Sequence, residues 1–229
     1  MEYFYILLFP LIVAIPAIAS SNINRTYKKY KEVKNEKNLS GFEVARNILD
    51  DHDLDKMYIV TVPGNLTDHY DPTQKAVKLS TDIFDGESVA SMAVAAHECG
   101  HAIQDKEGYA FLKFRSALVP VVNAVSKAAY VMYALSLMLQ MGDLLMIAIV
   151  SILFGLAFQI VTLPVEFDAS RRGLKYLKEL DIPTKDELEG AEKVLKAAAF
   201  TYVAAVLSSL LDLFQVVIRY MIRQDNRRR

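Results

Sequence analysis

The chain has 229 residues, of which 53% are hydrophobic, and it carries a formal net charge of -1 at pH 7 and one cysteine. This length fits one large domain or two small ones, and the hydrophobic share, with a positive mean hydropathy, favours a membrane protein. A net charge near zero suggests neither a nucleic-acid partner nor an acidic ligand, and a single cysteine excludes an internal disulfide.

The first apolar run, residues 3–19, predicts a membrane anchor. The small residues around Ala17 resemble a signal-peptide cleavage site, but a signal peptide begins with positive charge and this chain offers Glu2 instead. We therefore expect a retained anchor, which we place at residues 3–20. Its length of about 17 apolar residues is near the lower limit for a helix that crosses the hydrocarbon core.

Residues 22–115 are predicted to form a small water-soluble portion that contains both helices and strands. Ser40, followed by Glu43, has the pattern of a capping box before an amphipathic helix. The run at 57–62 is rich in β-branched and aromatic residues and ends at a Pro-Gly turn, which indicates a strand. The run at 75–80 alternates polar and apolar residues, as a half-exposed strand does.

The next helix, predicted over residues 89–104 with Ser88 as its N-cap, carries the sequence HECGH. Residues i and i+4 of an α-helix project from one face, so His97 and His101 can bind one Zn²⁺ ion. Glu98 lies about 100° further round the helix, beside the metal, where it can take a proton from a water that the metal activates. This is the H-E-x-x-H arrangement of zinc peptidases, and it predicts Glu98 as the catalytic base.

Three further apolar runs follow the motif. The runs at 117–139 and 144–163 are separated only by QMGD, so they predict a transmembrane helical hairpin over 117–163. A polar helical segment, 164–196, comes next. The last run, 197–222, predicts an apolar helix that is either membrane-associated or spanning.

The positive charges predict the orientation of these segments. Lys and Arg follow the first anchor in RTYKKYKEVKNEK and recur within 164–196, and the positive-inside rule places both segments in the cytoplasm. Four full spans would put the basic end, IRYMIRQDNRRR, on the opposite side. Either the last helix does not cross completely or the rule is broken at this end.

A catalytic zinc site keeps an open position beside three protein ligands, so a third ligand is needed. Six residues could supply it: His52, His69, Asp105, Glu107, Glu166 and Asp168. We expect the ligand on a second rigid element, and PVEFDASRRG predicts a helix that begins at Pro164. On that helix Glu166 shares a small-residue face with Ser170 and Gly173. This face could approach the motif helix closely, which favours Glu166, with a carboxylate that only caps the helix start as the alternative.

Four stretches of the chain resemble a known protein family: LTDHYDPTQKAVKLS, SVASMAVAAHECGHAIQ, LPVEFDASRRGLKYL and AAAFTYVAAVL. In this order, over about residues 41–207, the chain resembles the YugP-type membrane neutral zinc metallopeptidases, and more remotely the HtpX and CAAX prenyl protease group. The resemblance implies that His97, His101 and Glu166 bind zinc. It also implies that Glu98 is the general base.

The chain departs from the remote group at one position near the third ligand. There an aspartate usually follows the glutamate after four residues, whereas this chain has Ser170. The carboxylate expected to orient an imidazole is then missing, so another group must orient His97 or His101. As a third ligand Asp168 is less favoured than Glu166, because we expect it to point elsewhere and to pair with Arg172 one turn later on its own helix.

Several neighbours of the motif allow two interpretations each. The strand at 75–80 precedes the motif helix, as the edge strand does in zincin-like folds, where an extended substrate pairs with it; an ordinary internal strand is the alternative. His69 and Tyr70 could stabilise a tetrahedral oxyanion or could hold a turn, and Tyr202 is a weaker candidate for the first role. We expect Cys99 to pack in the core.

The sequence therefore predicts a mainly α membrane protein with transmembrane helices and a small zincin-like α/β catalytic portion. We expect a multi-pass protein of the cell membrane with its active site on the cytoplasmic face, which hydrolyses peptide bonds near the membrane surface. Its expected partners are the lipid bilayer and a peptide or membrane-protein substrate, without nucleic acid. The alternative is a non-catalytic membrane protein with a structural zinc site. A channel or transporter that uses Lys127 and Asp212 is less favoured, because nothing indicates a continuous polar path.

Overall fold

The computed structural model describes residues 4–139 and 144–228 of the chain. Most of these residues are helical, and three short strands form one sheet. The elements in chain order are α1 (Phe4–Lys31), α2 (Gly41–Asp51), β1 (Tyr58–Val62), β2 (His69–Asp71), β3 (Ala76–Ser80), α3 (Thr81–Phe84), α4 (Val89–Lys106), α5 (Ala110–Leu139), α6 (Leu144–Glu179) and α7 (Lys185–Arg228).

The chain divides into two compact units. The first, which we call the helical unit, comprises Met1–Ser20, Phe114–Leu163 and Thr201–Arg229. The second, which we call the α/β unit, comprises Ser21–Lys113 and Pro164–Phe200 and contains the whole sheet. Helices α1, α5, α6 and α7 each contribute residues to both units.

The sheet of the α/β unit has the strand order β1-β3-β2. The central strand β3 pairs in parallel with β1 and antiparallel with β2. The prediction of a strand at 75–80 is confirmed, but its interpretation as an edge strand is wrong. Its second edge is covered by β2. The sequence predicts a turn or a role in the site for His69 and Tyr70, and does not predict this strand.

The core of the α/β unit lies between this sheet and its helices. Helix α2 packs against α4, which also packs against β2 and β3. The large side chains Ile48, Leu79, Met92 and Ile103 are fully buried there. The predicted capping box is confirmed at the start of α2, where the Ser40 side chain accepts a hydrogen bond from the N3 backbone and the N3 side chain bonds back to the cap.

Two helices are longer than the sequence predicted. A helix was expected to begin at Pro164, but α6 runs without interruption through this residue. Proline has φ near the helical value and removes one N–H donor, so a long helix can continue past it at the cost of one hydrogen bond. Glu166 therefore lies inside a helix, and the alternative that it caps a helix start is wrong. Likewise, α7 joins the predicted segments on either side of residue 197 into one helix.

Within the part of the chain that the structure describes, three helices are long and apolar enough to cross a membrane: Leu8–Lys31, Ile149–Glu179 and Lys185–Ile222. They correspond to the first, third and fourth predicted apolar runs. The second run, 117–139, lies in α5, which is helical but is not one of these three. The predicted turn at 140–143 and the side chain of Lys127 lie outside what the structure describes.

Candidate metal centre

Three side chains from two helices meet within the α/β unit. His97 and His101 come from α4 and Glu166 comes from α6, and one donor atom of each lies within 4.8 Å of the other two. The Nε2 atoms of His97 and His101 are 3.3 and 3.6 Å from Oε2 of Glu166. Donors that surround a tetrahedral zinc ion at about 2.0–2.1 Å are about 3.3–3.5 Å apart. The cluster thus has the dimensions of a zinc site.

The motif helix forms for local reasons. The Ser88 side chain accepts a hydrogen bond from the backbone N–H of Ser91, so the predicted N-cap is confirmed. The helix is rich in alanine, which has the highest helix propensity. Its 18 residues place His97 and His101 one turn apart, with the ring centroids 4.7 Å from each other.

Two glycines allow α4 and α6 to approach each other closely. A Cβ atom on Gly100 of α4 would lie 2.4 Å from the carbonyl oxygen of Ala169 in α6. A Cβ on Gly173 of α6 would lie 2.7 Å from the carbonyl oxygen of Ala96 in α4. Both distances are shorter than any side chain tolerates, so only glycine permits this separation. The predicted close approach of the small-residue face of α6 is therefore confirmed.

Each histidine ring is held through its Nδ1 atom. Nδ1 of His97 is 3.1 Å from Oγ of Ser170, and Nδ1 of His101 is 3.0 Å from Oε1 of Gln104. These contacts leave the Nε2 atoms directed at the cluster. Ser170, which stands where the remote group has an aspartate, thus contacts an imidazole itself. The sequence prediction does not include Gln104, although its position three residues after His101 on the same helix face is a usable signal.

Gln104 also connects the two helices. Its Nε2 donates one hydrogen bond to the carbonyl oxygen of Val165 and another to Oδ2 of Asp168, both at 2.9 Å. Because both amide hydrogens are used, Oε1 must be the atom that faces His101, and His101 donates from Nδ1. Nε2 of His101 then carries the lone pair that a metal requires. Asp168 in turn accepts from Arg172 at 2.5 Å, as predicted.

Replacing Gln104 with leucine is expected to weaken zinc binding about 10–100-fold, because the His101 ring loses its orienting acceptor. The side chain is fully buried, so its partners Val165 and Asp168 would also lose a donor, which costs about 1–3 kcal/mol of folding stability. Zinc competition with a chromophoric chelator measures the first effect, and thermal unfolding measures the second. Gln74→Ala is the matched control, since Gln74 is exposed. Unchanged zinc affinity in Gln104→Leu would contradict this role.

Glu98 lies beside the cluster and is buried, with 6% of its surface exposed. The backbone of Tyr70 in β2 forms a hydrogen bond with its carboxylate. Among the described residues, none donates a hydrogen bond to its Oε2 atom. Burial raises the pKa of Glu98 to about 7; the electrostatic interaction with His97 lowers it, and the negative charge of Glu166 raises it. A buried carboxylate oxygen without a donor, beside two imidazoles and a second carboxylate, fits a site built for a cation.

The other histidines and the cysteine contact different parts of the unit. Nδ1 of His52 donates to the carbonyl oxygen of Ile48 at 2.9 Å. His69 is exposed on β2, and its Nδ1 contacts a backbone carbonyl two residues earlier at 2.8 Å. Cys99 is fully buried, its Sγ lies 3.6 Å from the carbonyl oxygen of Ala45, and burial raises the pKa of its thiol. The expected core packing of Cys99 is confirmed.

The remaining acidic candidates are paired outside the cluster. Asp105 accepts a hydrogen bond from the hydroxyl of Tyr70 at 2.6 Å. Burial raises the pKa of this tyrosine most, and the hydrogen bond to Asp105 raises it further. Glu107 pairs with Arg172 at 2.6 Å, and Asp168 pairs with the same guanidinium. Of the six candidate third ligands, the structure brings only Glu166 to the two motif histidines among the residues it describes.

The chain was also compared with known proteins. A family model with the description "Putative neutral zinc metallopeptidase" matches residues 4–221. "Putative membrane protease YugP" of Bacillus subtilis (strain 168) is 40% identical over 209 residues, which cover 90% of this chain and 92% of that protein. No solved structure matches the chain.

Proposed function

The chain belongs to the family of putative neutral zinc metallopeptidases, and from that premise we propose that it is a membrane-embedded, zinc-dependent endopeptidase. The observation that carries the proposal is the meeting of His97, His101 and Glu166 beside the buried carboxylate of Glu98. Hydrolysis of a peptide bond by an activated water requires three protein ligands at the spacing of a zinc site and an adjacent general base.

His97, His101 and Glu166 would hold the zinc ion and leave a fourth position open. When bound, zinc polarises the scissile carbonyl and lowers the pKa of water towards neutrality. Ser170 and Gln104 keep the two imidazoles in the orientation that binding needs, through the Nδ1 contacts.

Glu98 acts as the proton carrier in this proposal. Its carboxylate accepts a proton from the attacking water and returns it to the nitrogen of the leaving amine. The hydrogen bond from the backbone of Tyr70 fixes one side of the carboxylate. Oε2 has no donor among the described residues, so it remains available for the proton.

We place the reaction in the α/β unit, on the cytoplasmic side of a multi-pass membrane protein with a zincin-like catalytic portion. Lys and Arg are abundant in the two chain segments of this unit, which the positive-inside rule assigns to the cytoplasm. Helices α1, α6 and α7 carry the three candidate spans. Substrates are then membrane proteins or unfolded segments close to the bilayer.

Removal of zinc is expected to reduce cleavage to background, because the three side chains alone cannot activate water. The measurement uses protein purified in neutral detergent, an unfolded polypeptide and the same polypeptide with a membrane anchor. Each is assayed before chelation, after chelation, and after return of about one equivalent of zinc. Restoration by zinc, with faster cleavage of the anchored substrate, supports the proposal.

Two results would count against it. Full activity after complete removal of metal would exclude the zinc mechanism. Equal rates for the free and the anchored substrate would leave the peptidase in place but would refute the proposed substrate class.

A further inference from the structure

A cationic cavity of about 380 Å³ lies in the α/β unit between the end of α1 and the start of α7. Four basic side chains line it: Arg25 and Lys29 from α1, and Lys193 and Lys196 from α7. No aspartate or glutamate is among the lining residues. We call this the basic cavity.

Within residues 4–139 and 144–228, most of this positive charge has no acidic partner. Among the residues that the structure describes, no carboxylate pairs with Arg25 or Lys193. Lys29 lies 5.2 Å from the ring centroid of Tyr30, in a cation–π contact. Of the four lining cations, only Lys196 has an acidic partner in the described part of the chain, Glu192 at 2.6 Å, and this pair is exposed. Exposed pairs contribute little to stability. The cavity therefore offers three cations to a ligand.

The walls of the basic cavity are held by close packing between α1 and α7. A Cβ atom on Gly190 would lie 2.7 Å from Cε1 of Tyr30. The tyrosine ring therefore packs directly against the backbone of α7 at Gly190. Oε1 of Glu187 accepts a hydrogen bond at 2.6 Å from the backbone of Glu36, just after α1. The four cations thus line a space between two helices whose spacing is set by other contacts.

The position of the cavity along both helices points to the level of lipid headgroups. On α1 the cations come directly after the apolar run that ends at residue 19, and on α7 they come directly before the run that begins at residue 197. Both helices are candidate membrane spans. Basic side chains between membrane helices at this level are positioned to meet phosphate groups of the cytoplasmic leaflet.

We propose that the basic cavity binds the phosphodiester headgroup of an anionic glycerophospholipid. Arg25 and Lys193, which pair with no carboxylate among the described residues, form the charge-assisted hydrogen bonds to the phosphate oxygens. The partly buried Tyr30 borders the same space with an amphipathic ring, which suits the membrane interface. This inference rests on the proposed membrane placement of α1 and α7 and does not rest on the peptidase chemistry.

The test measures equilibrium binding of short-chain phosphatidylglycerol to the full chain in neutral detergent. Short-chain phosphatidylcholine and inorganic phosphate are the comparison ligands. The double variant Arg25→Gln with Lys193→Gln is compared with Lys28→Gln with Lys178→Gln, which removes the same charge from exposed positions outside the cavity. We expect saturable binding of phosphatidylglycerol that falls on the order of thirtyfold in the first variant and changes little in the second.

Equal weakening in both variants would mean general surface electrostatics and would overturn the proposal. So would equal binding of phosphatidylcholine, or phosphate binding as tight as that of the lipid, which would indicate a site for the free ion. Zinc content measured on each variant shows that the α/β unit is intact. The same experiment on Glu98→Gln protein separates the two proposals, since loss of peptidase activity there leaves the expected lipid binding unchanged.

Discussion

The substitution Glu98→Gln is expected to abolish peptide-bond hydrolysis and to leave about one zinc ion per chain. Glutamine has nearly the same volume, and its amide oxygen can still accept the hydrogen bond from the backbone of Tyr70. It cannot accept a proton from water at neutral pH. Loss of a general acid–base group lowers rates about 10²–10⁴-fold. The fold and the metal site should therefore survive while turnover is lost.

This variant also separates the peptidase from a membrane protein that uses zinc only to hold α4 against α6. A structural site has no need for a base beside the metal, so under that alternative the Glu98 carboxylate would serve only to hold the fold and the zinc. Cleavage assays are run beside zinc analysis and thermal unfolding on the same samples. Activity close to that of the wild type would refute the assigned role of Glu98. Loss of zinc together with unfolding would favour the structural alternative.

The substitution Gly100→Ala is expected to destabilise the α/β unit and to weaken zinc binding. The new methyl group would lie 2.4 Å from the carbonyl oxygen of Ala169, and the nearest atoms are all backbone. Since backbone cannot rotate away, α4 and α6 must separate. Overpacking of this kind costs about 1–3 kcal/mol. It also increases the distance from His97 and His101 to Glu166, so zinc affinity falls with stability.

The control is Gly155→Ala, because Gly155 lies on α6 and a Cβ there would meet nothing within 4 Å. Alanine is favoured over glycine inside a helix by about 1 kcal/mol, so this variant is expected to be at least as stable as the wild type. Thermal unfolding and zinc competition are measured for both. If Gly100→Ala matched the control in both measurements, the close approach of α4 and α6 would not be needed for the metal centre.

The motif helix could be predicted from sequence because its determinants are local. The cap at Ser88 and the four-residue spacing of His97 and His101 need only helical geometry. The choice of Glu166 from six candidates could be narrowed by the small-residue face that includes Gly173. The structure supports that choice through a contact between segments about 70 residues apart in sequence.

Other features depend on packing that no local pattern indicates. Strand β2 has three residues, and it exists because residues 69–71 pair with β3; an isolated segment of this length has no strand signal. Helix α6 continues through Pro164 because the residues on both sides of it are helical, although proline itself disfavours the interior of a helix. Gln104 acquires its role only when Val165 and Asp168 are brought against it from α6.

Zinc stoichiometry by elemental analysis, on detergent-purified wild type beside Glu166→Ala, tests the metal centre most directly. Glu107→Ala is the matched control, because Glu107 was also a candidate ligand and pairs with Arg172 instead. We predict about one zinc per chain in the wild type and in the control, and much less in Glu166→Ala. If Glu166→Ala kept its zinc, the third ligand would lie elsewhere. The assignment of a metal centre formed by side chains of α4 and α6 would then be wrong.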